Sequence, residues 1–502
     1  MSIDPTATTD IVVIGYGPTG AVLANLLGLR GWTVEVFERE REPLRAPRAV
    51  HFDAEVMRVF QQAGVAGQLD AAVVPVKGMH FLNADGTTIF RFDAIAGDGP
   101  LGWPQGFMFH QPDLEHVLRT NAARHASVTV HLGHEVQAVD HTGDAGHAVV
   151  SVNGPAGPRT VRARYVVGCC GARSLTRAAI GGELTDFGFT QDWLVLDVLL
   201  RRAVDLPVVT VQYCDPARPS SYVAMPGARR RFELMMMPGD TADAVLEPGF
   251  LATLLGRWLH PDDYTVERVA VYAFHALIAA RWRRGRLLIA GDAAHQMPPF
   301  LGQGMCAGVR DAADLAWKLD LVLKGTATPS LLDTYQSERL PQVRAVVEDD
   351  ILMGSIIQTT DPERARHRDA RATSSGSATP IAPKFYPIGA DLCLSDPASR
   401  LPFPQPRMAD GRLHDEVLGD GFVLVGPVRP SPAAAAILAR LGTVLIDHPE
   451  PAIADWLASH GAPAALLRPD RIVLALIADA SALDAALSPV ASHLSAPAEA
   501  PR

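Results

Sequence analysis

An aspartate, a histidine, two adjacent prolines and two glycines crowd into one run, Gly291-Asp292-Ala293-Ala294-His295-Gln296-Met297-Pro298-Pro299-Phe300-Leu301-Gly302-Gln303-Gly304-Met305. Asp292 follows the apolar run Leu287-Leu288-Ile289-Ala290, so it stands where a buried strand ends. Its carboxylate is suited to accept hydrogen bonds from the hydroxyls of a polyol chain. Pro298 and Pro299 stiffen the next turn. Gly302 and Gly304 let backbone N–H groups reach a ring edge, and Pro299 and Met305 belong to the same ligand-facing stretch. A helix expected from residue 304 would aim its positive dipole end at that ring.

Near the N-terminus a second glycine cluster, Gly15-Tyr16-Gly17-Pro18-Thr19-Gly20, follows the apolar run Ile11-Val12-Val13-Ile14 and precedes a helical pattern. That context gives G-x-G-x-x-G its meaning. Gly15 permits the tight turn, Gly17 admits a pyrophosphate, and Gly20 lets the helix pack against the strand. Glu38 ends the next strand, where its carboxylate can accept from both ribose hydroxyls of an adenosine, with Arg39 beside it at the same end. An acid here disfavours a 2′-phosphate, which leaves NAD or FAD. Asp292 decides between them, because FAD has a polyol in its ribityl chain and NAD does not. The two segments therefore predict one long cofactor, FAD, held at both ends.

The elements around these loops give an α/β protein. At 502 residues the chain is too long for one core. Residues 1–183 are expected to form the first part of a Rossmann-like FAD-binding domain. Strand-like runs at 184–280 suggest a β-rich substrate-binding insertion. Residues 281–385 return to the FAD-binding domain and its following helices. Residues 386–488 carry the signals of a small α/β domain, and 489–502, rich in Ala, Ser and Pro, read as a disordered tail. The polar stretch 361–380 reads as a mobile connector or an exposed helix end.

Composition removes several function classes. The 45 basic residues against 55 acidic ones leave a net charge of -10, which argues against a nucleic-acid surface. The five cysteines show no C-x-x-C or metal-ligand spacing, so neither a metal site nor a disulfide is expected. With no signal-peptide pattern and no membrane-spanning run, a cytoplasmic protein is expected.

Further motifs carry a family resemblance over nearly the whole chain. They include Pro47-Arg48-Ala49-Val50-His51-Phe52-Asp53-Ala54-Glu55-Val56-Met57-Arg58, Gln111-Pro112-Asp113-Leu114-Glu115, Arg230-Arg231-Phe232-Glu233-Leu234 and Arg310-Asp311-Ala312-Ala313-Asp314-Leu315-Ala316-Trp317-Lys318-Leu319. Leu401-Pro402-Phe403-Pro404-Gln405-Pro406-Arg407 and Leu467-Arg468-Pro469-Asp470-Arg471 extend it. The chain resembles the group A flavin-dependent aromatic hydroxylases, with the para-hydroxybenzoate hydroxylase fold, and most of all their 3-(3-hydroxyphenyl)propionate hydroxylase branch. The resemblance implies that Arg48 lies beside the flavin, and that Gln111 and Arg119 help hold the ribityl–pyrophosphate portion. It also implies a thioredoxin-like domain at the C-terminus, which lacks C-x-x-C and so a redox role.

The reaction so implied consumes NADH or NADPH and O2, and hydroxylates a phenolic acid resembling 3-(3-hydroxyphenyl)propionate through a flavin C4a-hydroperoxide. Candidates for its electrostatic work are His51, Arg48, Asp53 and His295, with Arg230 and Arg231 as partners for a substrate carboxylate. Met235, Met236 and Met237 fit core packing better than an apolar site wall. The other readings are oxygenation of a larger aromatic such as a polyketide, and non-catalytic flavin binding. A flavin halogenase is set aside, because no two tryptophans stand two apart as W-x-W would need. Expected partners are a small aromatic substrate and O2, with no nucleic acid or membrane; a homodimer is compatible. One departure stands out. The family's Gly-x-Asp-Gly-Ala-x-Ser reads Gly168-Cys169-Cys170-Gly171-Ala172-Arg173-Ser174 here, with Cys170 in place of the carboxylate.

Overall fold

Three parallel strands end side by side, and the loops that leave them make one edge of the molecule. In the computed structural model, which describes residues 8–42, 48–69, 71–141, 146–374, 384–394, 396 and 398–496, β1 (Thr8–Ile14) runs parallel to Gly157–Gly168 and to β2 (Val34–Glu38). Val128–Leu132 extends the sheet beyond β2, and Leu287–Ile289 extends it beyond Gly157–Gly168. Ile11, Val12 and Val13 are fully buried, as covered parallel strands require. Ile14 aligns with Gly168, and Gly168 with Ile289. The turns beginning at Gly15, Cys169 and Ala290 therefore leave the sheet together. Ligands of open α/β sheets bind at such carboxyl ends.

The helix α1 (Pro18–Leu29) starts from Gly17, with Pro18 in its first turn, where a missing N–H costs nothing. It buries Gly20 through Gly28, and the helix Gly304–Leu323 packs along it. Gly20 makes that closeness possible. A Cβ there would lie 2.1 Å from the Gly15 carbonyl oxygen.

A second, eight-stranded sheet faces the same edge. Its long antiparallel centre pairs Leu184–Leu200 with Tyr264–Ala279 and with Arg229–Met235. The segment 184–280 does not build it alone. The hairpin Gly78–Leu82 and Thr88–Asp93 joins through a parallel pairing with Thr210–Tyr213, and His295–Gln296 closes the other side. The hairpin is fixed by Phe81, Phe90 and Phe92, which pack on one another with ring centroids 4.3 to 5.7 Å apart.

The third unit carries strands Val423–Val425, Val444–Ile446, Ala464–Leu467 and Val473–Ile477, flanked by the helices Pro432–Arg440, Pro451–Ser459 and Ala480–Ala491. It docks through buried charge. Arg468 reaches Glu338 at 2.9 Å and Asp314 at 2.5 Å, and Lys318 closes the network at 2.6 Å from Glu338 and 2.8 Å from Asp314. Arg58 grips Asp415 with two nitrogens, at 2.6 and 2.7 Å.

Two expectations about irregular segments change. The helix Ala480–Ala491 runs into the supposed tail, and Leu494 bridges to Ala327, so residues 489–496 are ordered by packing on the body. Residues 497–502 lie outside the described residues. The basic stretch after 361 forms the helix Pro362–Ser374, whose Arg368 donates to the carbonyls of Ile356 and Cys214. Residues 375–380 lie outside the described residues.

Candidate active site

A cavity of about 1210 Å³ opens between the strand-end loops and the second sheet. Ordinary small-molecule pockets hold about 300–1,000 Å³, so this one has room for a long cofactor together with a second ligand. At one end lie Gly15, Gly17, Glu38, Arg39 and Arg119. Gly15 has φ +97°, and a side chain there would strike the Cys169 carbonyl. A Cβ on Gly17 would meet no protein atom within 4 Å, so what backbone nakedness there preserves is access from the cavity.

Glu38 is already engaged. One carboxylate oxygen accepts from the Tyr16 N–H at 2.8 Å and the other from the Glu40 N–H at 3.0 Å, which fixes the glycine turn. Arg39 is well exposed and pairs with Glu40. Arg119 donates through Nη2 to the Tyr16 carbonyl and to Glu115, at 2.8 and 2.9 Å. Its Nε and Nη1 are buried with no hydrogen-bond partner. Orphaned guanidinium donors on a cavity wall, next to an uncapped helix start, fit a pyrophosphate. Gln111 serves the other strand-end loop. Its Oε1 accepts from the Arg48 and Ala49 N–H groups at 2.7 and 2.9 Å, and its Nε2 donates to Glu115.

At the other end, Asp292 lies half-exposed in a short helical turn and faces Arg48 at 3.8 Å. The turn is held from beneath. Asp311, fully buried on the helix Gly304–Leu323, accepts from the Gly291 N–H at 2.9 Å, from Arg339 at 2.9 Å, and faces His295 Nε2 at 2.7 Å. Pro299 through Met305 line the cavity, with the Pro299 carbonyl accepting from Gly302 N–H at 2.9 Å and Gly302 at φ +65°. The first turn of Gly304–Leu323 has no side-chain cap at Gln303. Its N–H groups are left for a ligand.

Burial alone would push Asp311 up, but His295, Arg339 and the Gly291 N–H outweigh it and hold the carboxyl at about 2. A depressed folded-state pKa stabilises the fold above the unfolded value near 3.8 and stops doing so as pH falls through about 2. The effect is about 2 kcal/mol. Denaturant unfolding followed from pH 5 to pH 2 should therefore show an acid loss of stability that Asp311→Asn flattens. An unchanged slope in the variant would remove this role.

The catalytic candidates separate. His51 and Asp53, on β3 (His51–Asp53), line the cavity, as does Arg48. Burial pushes His51 down, against the pull of Asp53, so its ring is neutral at neutral pH. Asp53 caps the helix α2 (Ala54–Gln62) through the Val56 N–H and takes Arg310 at 2.5 Å and Gln303 at 3.1 Å. Burial would raise that carboxyl, yet Arg310 keeps it below its ordinary value. It is a charged clamp on the Gln303 turn rather than a base. His295 is not in the cavity at all. It is buried against Trp282 and Asp311, and the short strand His295–Gln296 turns its ring into the core.

The two substrate arginines are also spent. Arg230 donates to the carbonyls of Gly227, Arg229 and Met225 and is not at the cavity. Arg231 lines it but is forked onto Asp197 at 2.7 and 3.0 Å and donates to the Arg48 carbonyl at 2.7 Å. Met235 packs with Trp193 and Phe300, in the core. Cys170 lines the cavity with its sulfur 3.0 Å from Ser174 Oγ. Asp350 joins the site without any signal in the sequence. It is buried on the helix Thr334–Ile357 and takes the Leu301 N–H at 2.9 Å, with burial raising its carboxyl. One acid on a long helix carries no local signal of that reach.

This fold and cavity define a nucleotide-cofactor-binding α/β protein whose cavity is walled on its far side by the second sheet. The chain belongs to the FAD binding domain family, whose pattern it matches over residues 8–350. It is 36% identical to a probable NADH-specific resorcinol 4-hydroxylase of Rhodococcus jostii (strain RHA1), over 97% of each chain. It is 34% identical to a 3-(3-hydroxy-phenyl)propionate/3-hydroxycinnamic acid hydroxylase of Mycobacterium sp. (strain JLS), over 93% of this chain and 88% of that one. The crystal structure of aklavinone-11 hydroxylase with FAD and aklavinone shares the fold, with a TM-score of 0.80 at 24% identity, over 97% and 99% of the two chains. The protein is thus an FAD-dependent aromatic hydroxylase by family. Among the described residues no helix is long and apolar enough to cross a membrane, and no cluster fit for a metal ion occurs.

Proposed function

We propose that this chain hydroxylates a phenolic ring, with FAD along the strand-end loops and the substrate against the second sheet. The observation that carries this is the single cavity bounded by both, with Arg119's orphaned donors at one end and Tyr272, Phe274 and Met79 of the sheet at the other. Bound FAD would take reducing equivalents from NADH or NADPH and activate O2. The chain supplies position and electrostatics. Arg119 and the start of α1 would take the pyrophosphate, Asp292 the ribityl hydroxyls, and the first turn of Gly304–Leu323 the electron-rich edge of the ring. Neutral His51, on the wall near Gly302, is the group best placed to accept a phenol proton.

Asp292→Ala should weaken FAD binding about tenfold, the scale of about 1.4 kcal/mol for charge-assisted hydrogen bonds lost. Titration of the apoprotein with FAD checks this, and unchanged affinity would exclude the ribityl role. The C-terminal unit we read as thioredoxin-like. Its βαβαββα order, with one parallel and two antiparallel pairings, supports that. The cavity volume also suits a larger aromatic, so a panel from simple phenols to polycyclic ones decides the substrate size. The test is NADH or NADPH consumption matched by product: coupled hydroxylation of any phenol supports the proposal, and consumption that yields only peroxide across the panel counts against it.

A further inference from the structure

The sheet wall of the cavity carries a closed set of charges. Asp197 lies 2.7 Å from Arg231 Nε and 3.3 Å from Arg268 Nη1, and Glu233 stands 3.7 Å from Arg231 Nη1. All four side chains are largely buried, at 2 to 13% exposed. Two guanidinium groups and two carboxylates sum to zero. Arg268 is also turned onto the Tyr272 hydroxyl, and Arg231 onto the Arg48 carbonyl. Arg231 is the one arginine or lysine that the sheet presents to the cavity among the described residues. Elsewhere on the lining, Arg48 faces Asp292, Arg310 is held by Asp53 and Glu55, and Lys384 is held by Asp349. Arg173, which is exposed, lies on the loop after Gly157–Gly168, at the glycine-turn end.

A ligand carboxylate on this wall would meet Glu233 and find Arg231, the cation beside it, already held by Asp197. An unpaired charge in such a place is costly. Hydroxyl groups suit it, because Glu233, Gln212 and Thr210 offer acceptors there.

We infer that the chamber takes an uncharged hydroxylated arene and refuses phenols that carry a carboxylate, with Glu233 setting the refusal. This rests on the proposed hydroxylase reading only for where the substrate lies. It divides the substrates named for the relatives, since resorcinol carries no charge and 3-(3-hydroxyphenyl)propionate does.

An isosteric pair separates charge from size. The FAD-loaded protein is titrated with 3-(3-hydroxyphenyl)propionate and with its primary amide, following the visible flavin spectrum. The titration is run at pH 8, where a carboxyl that burial pushes up is more fully ionised than at neutrality. The amide should bind at least about tenfold more tightly, the scale of one like-charge juxtaposition. Glu233→Gln should bring the two affinities together. Equal or tighter binding of the acid by the unaltered protein overturns the inference, as does a Glu233→Gln variant that keeps FAD and the full preference. If that variant does not load FAD, the unaltered protein's acid-to-amide ratio still decides. Binding is read without reductant, so a failure of hydroxylation and a failure of this selectivity are separate results.

Discussion

Gly20→Ala should cost the protein its FAD. The added Cβ would lie 2.1 Å from the Gly15 carbonyl oxygen and 3.3 Å from the Cys169 Cβ. Its closest neighbour is backbone, which cannot swing aside as a side-chain end does. To make room, α1 must withdraw from β1, carrying its N-terminus away from the cavity. The interior is close-packed, so the shift spreads to the helix Gly304–Leu323 packed along α1. FAD affinity should fall on the order of 100-fold, or about 2.7 kcal/mol. Apoprotein titration measures it, with Gly17→Ala as the companion. At Gly17 the new methyl meets no protein atom, so that variant should unfold as the unaltered protein does while binding FAD less well. Unaltered affinity in Gly20→Ala would show that the turn tolerates what its geometry forbids.

Arg468→Met should have the largest effect on stability. Arg468 is 1% exposed and stands against Glu338, Asp314 and Asp470, with Lys318 as the one other cation in the network. Removing one partner of a buried ion cluster costs about 3–5 kcal/mol, because the remaining charges stay buried. Burial already raises the Asp314 carboxyl to about 6, even with Lys318 and Arg468 drawing it down. Without Arg468 it must rise further. The variant should therefore regain stability as pH falls from 7 towards 5 and the carboxyl takes a proton. Denaturant unfolding at both pH values checks the size and the sign. A loss below about 1 kcal/mol would mean that the Arg468 network adds little to holding the C-terminal unit in place.

The parts of the site legible in the sequence are those whose chemistry is local. A glycine turn between a strand and a helix needs no distant partner to be recognised. Gly15, Gly17 and most of the 292–305 run accordingly line the cavity, Gly20 sets the helix–strand approach behind it, and His295 with its buried neighbours does not reach it. His295 shows where locality ends. Its ring direction is set by Asp311, sixteen residues on, and by Trp282, neither of which is visible from the motif. Arg230 and Arg231 fail in the same way. Neighbours on a strand point to opposite faces, and the one that turns inward meets Asp197 on the adjacent strand. The Asp53–Arg310 clamp spans 257 residues of chain. The hairpin Gly78–Asp93 joins the second sheet by a parallel pairing that no turn signal announces. In each case the missing information is tertiary: a partner charge or an edge strand supplied from far away.

The central claim is that this chain transfers one atom of O2 to a phenol. Turnover under 18O2 in ordinary water, with NADH or NADPH and a phenol that stimulates reductant consumption, tests it most directly. Mass spectrometry of the product should show one added oxygen, and that oxygen should be 18O. Product oxygen drawn from water, or reductant oxidised with all the 18O recovered as peroxide, would contradict it.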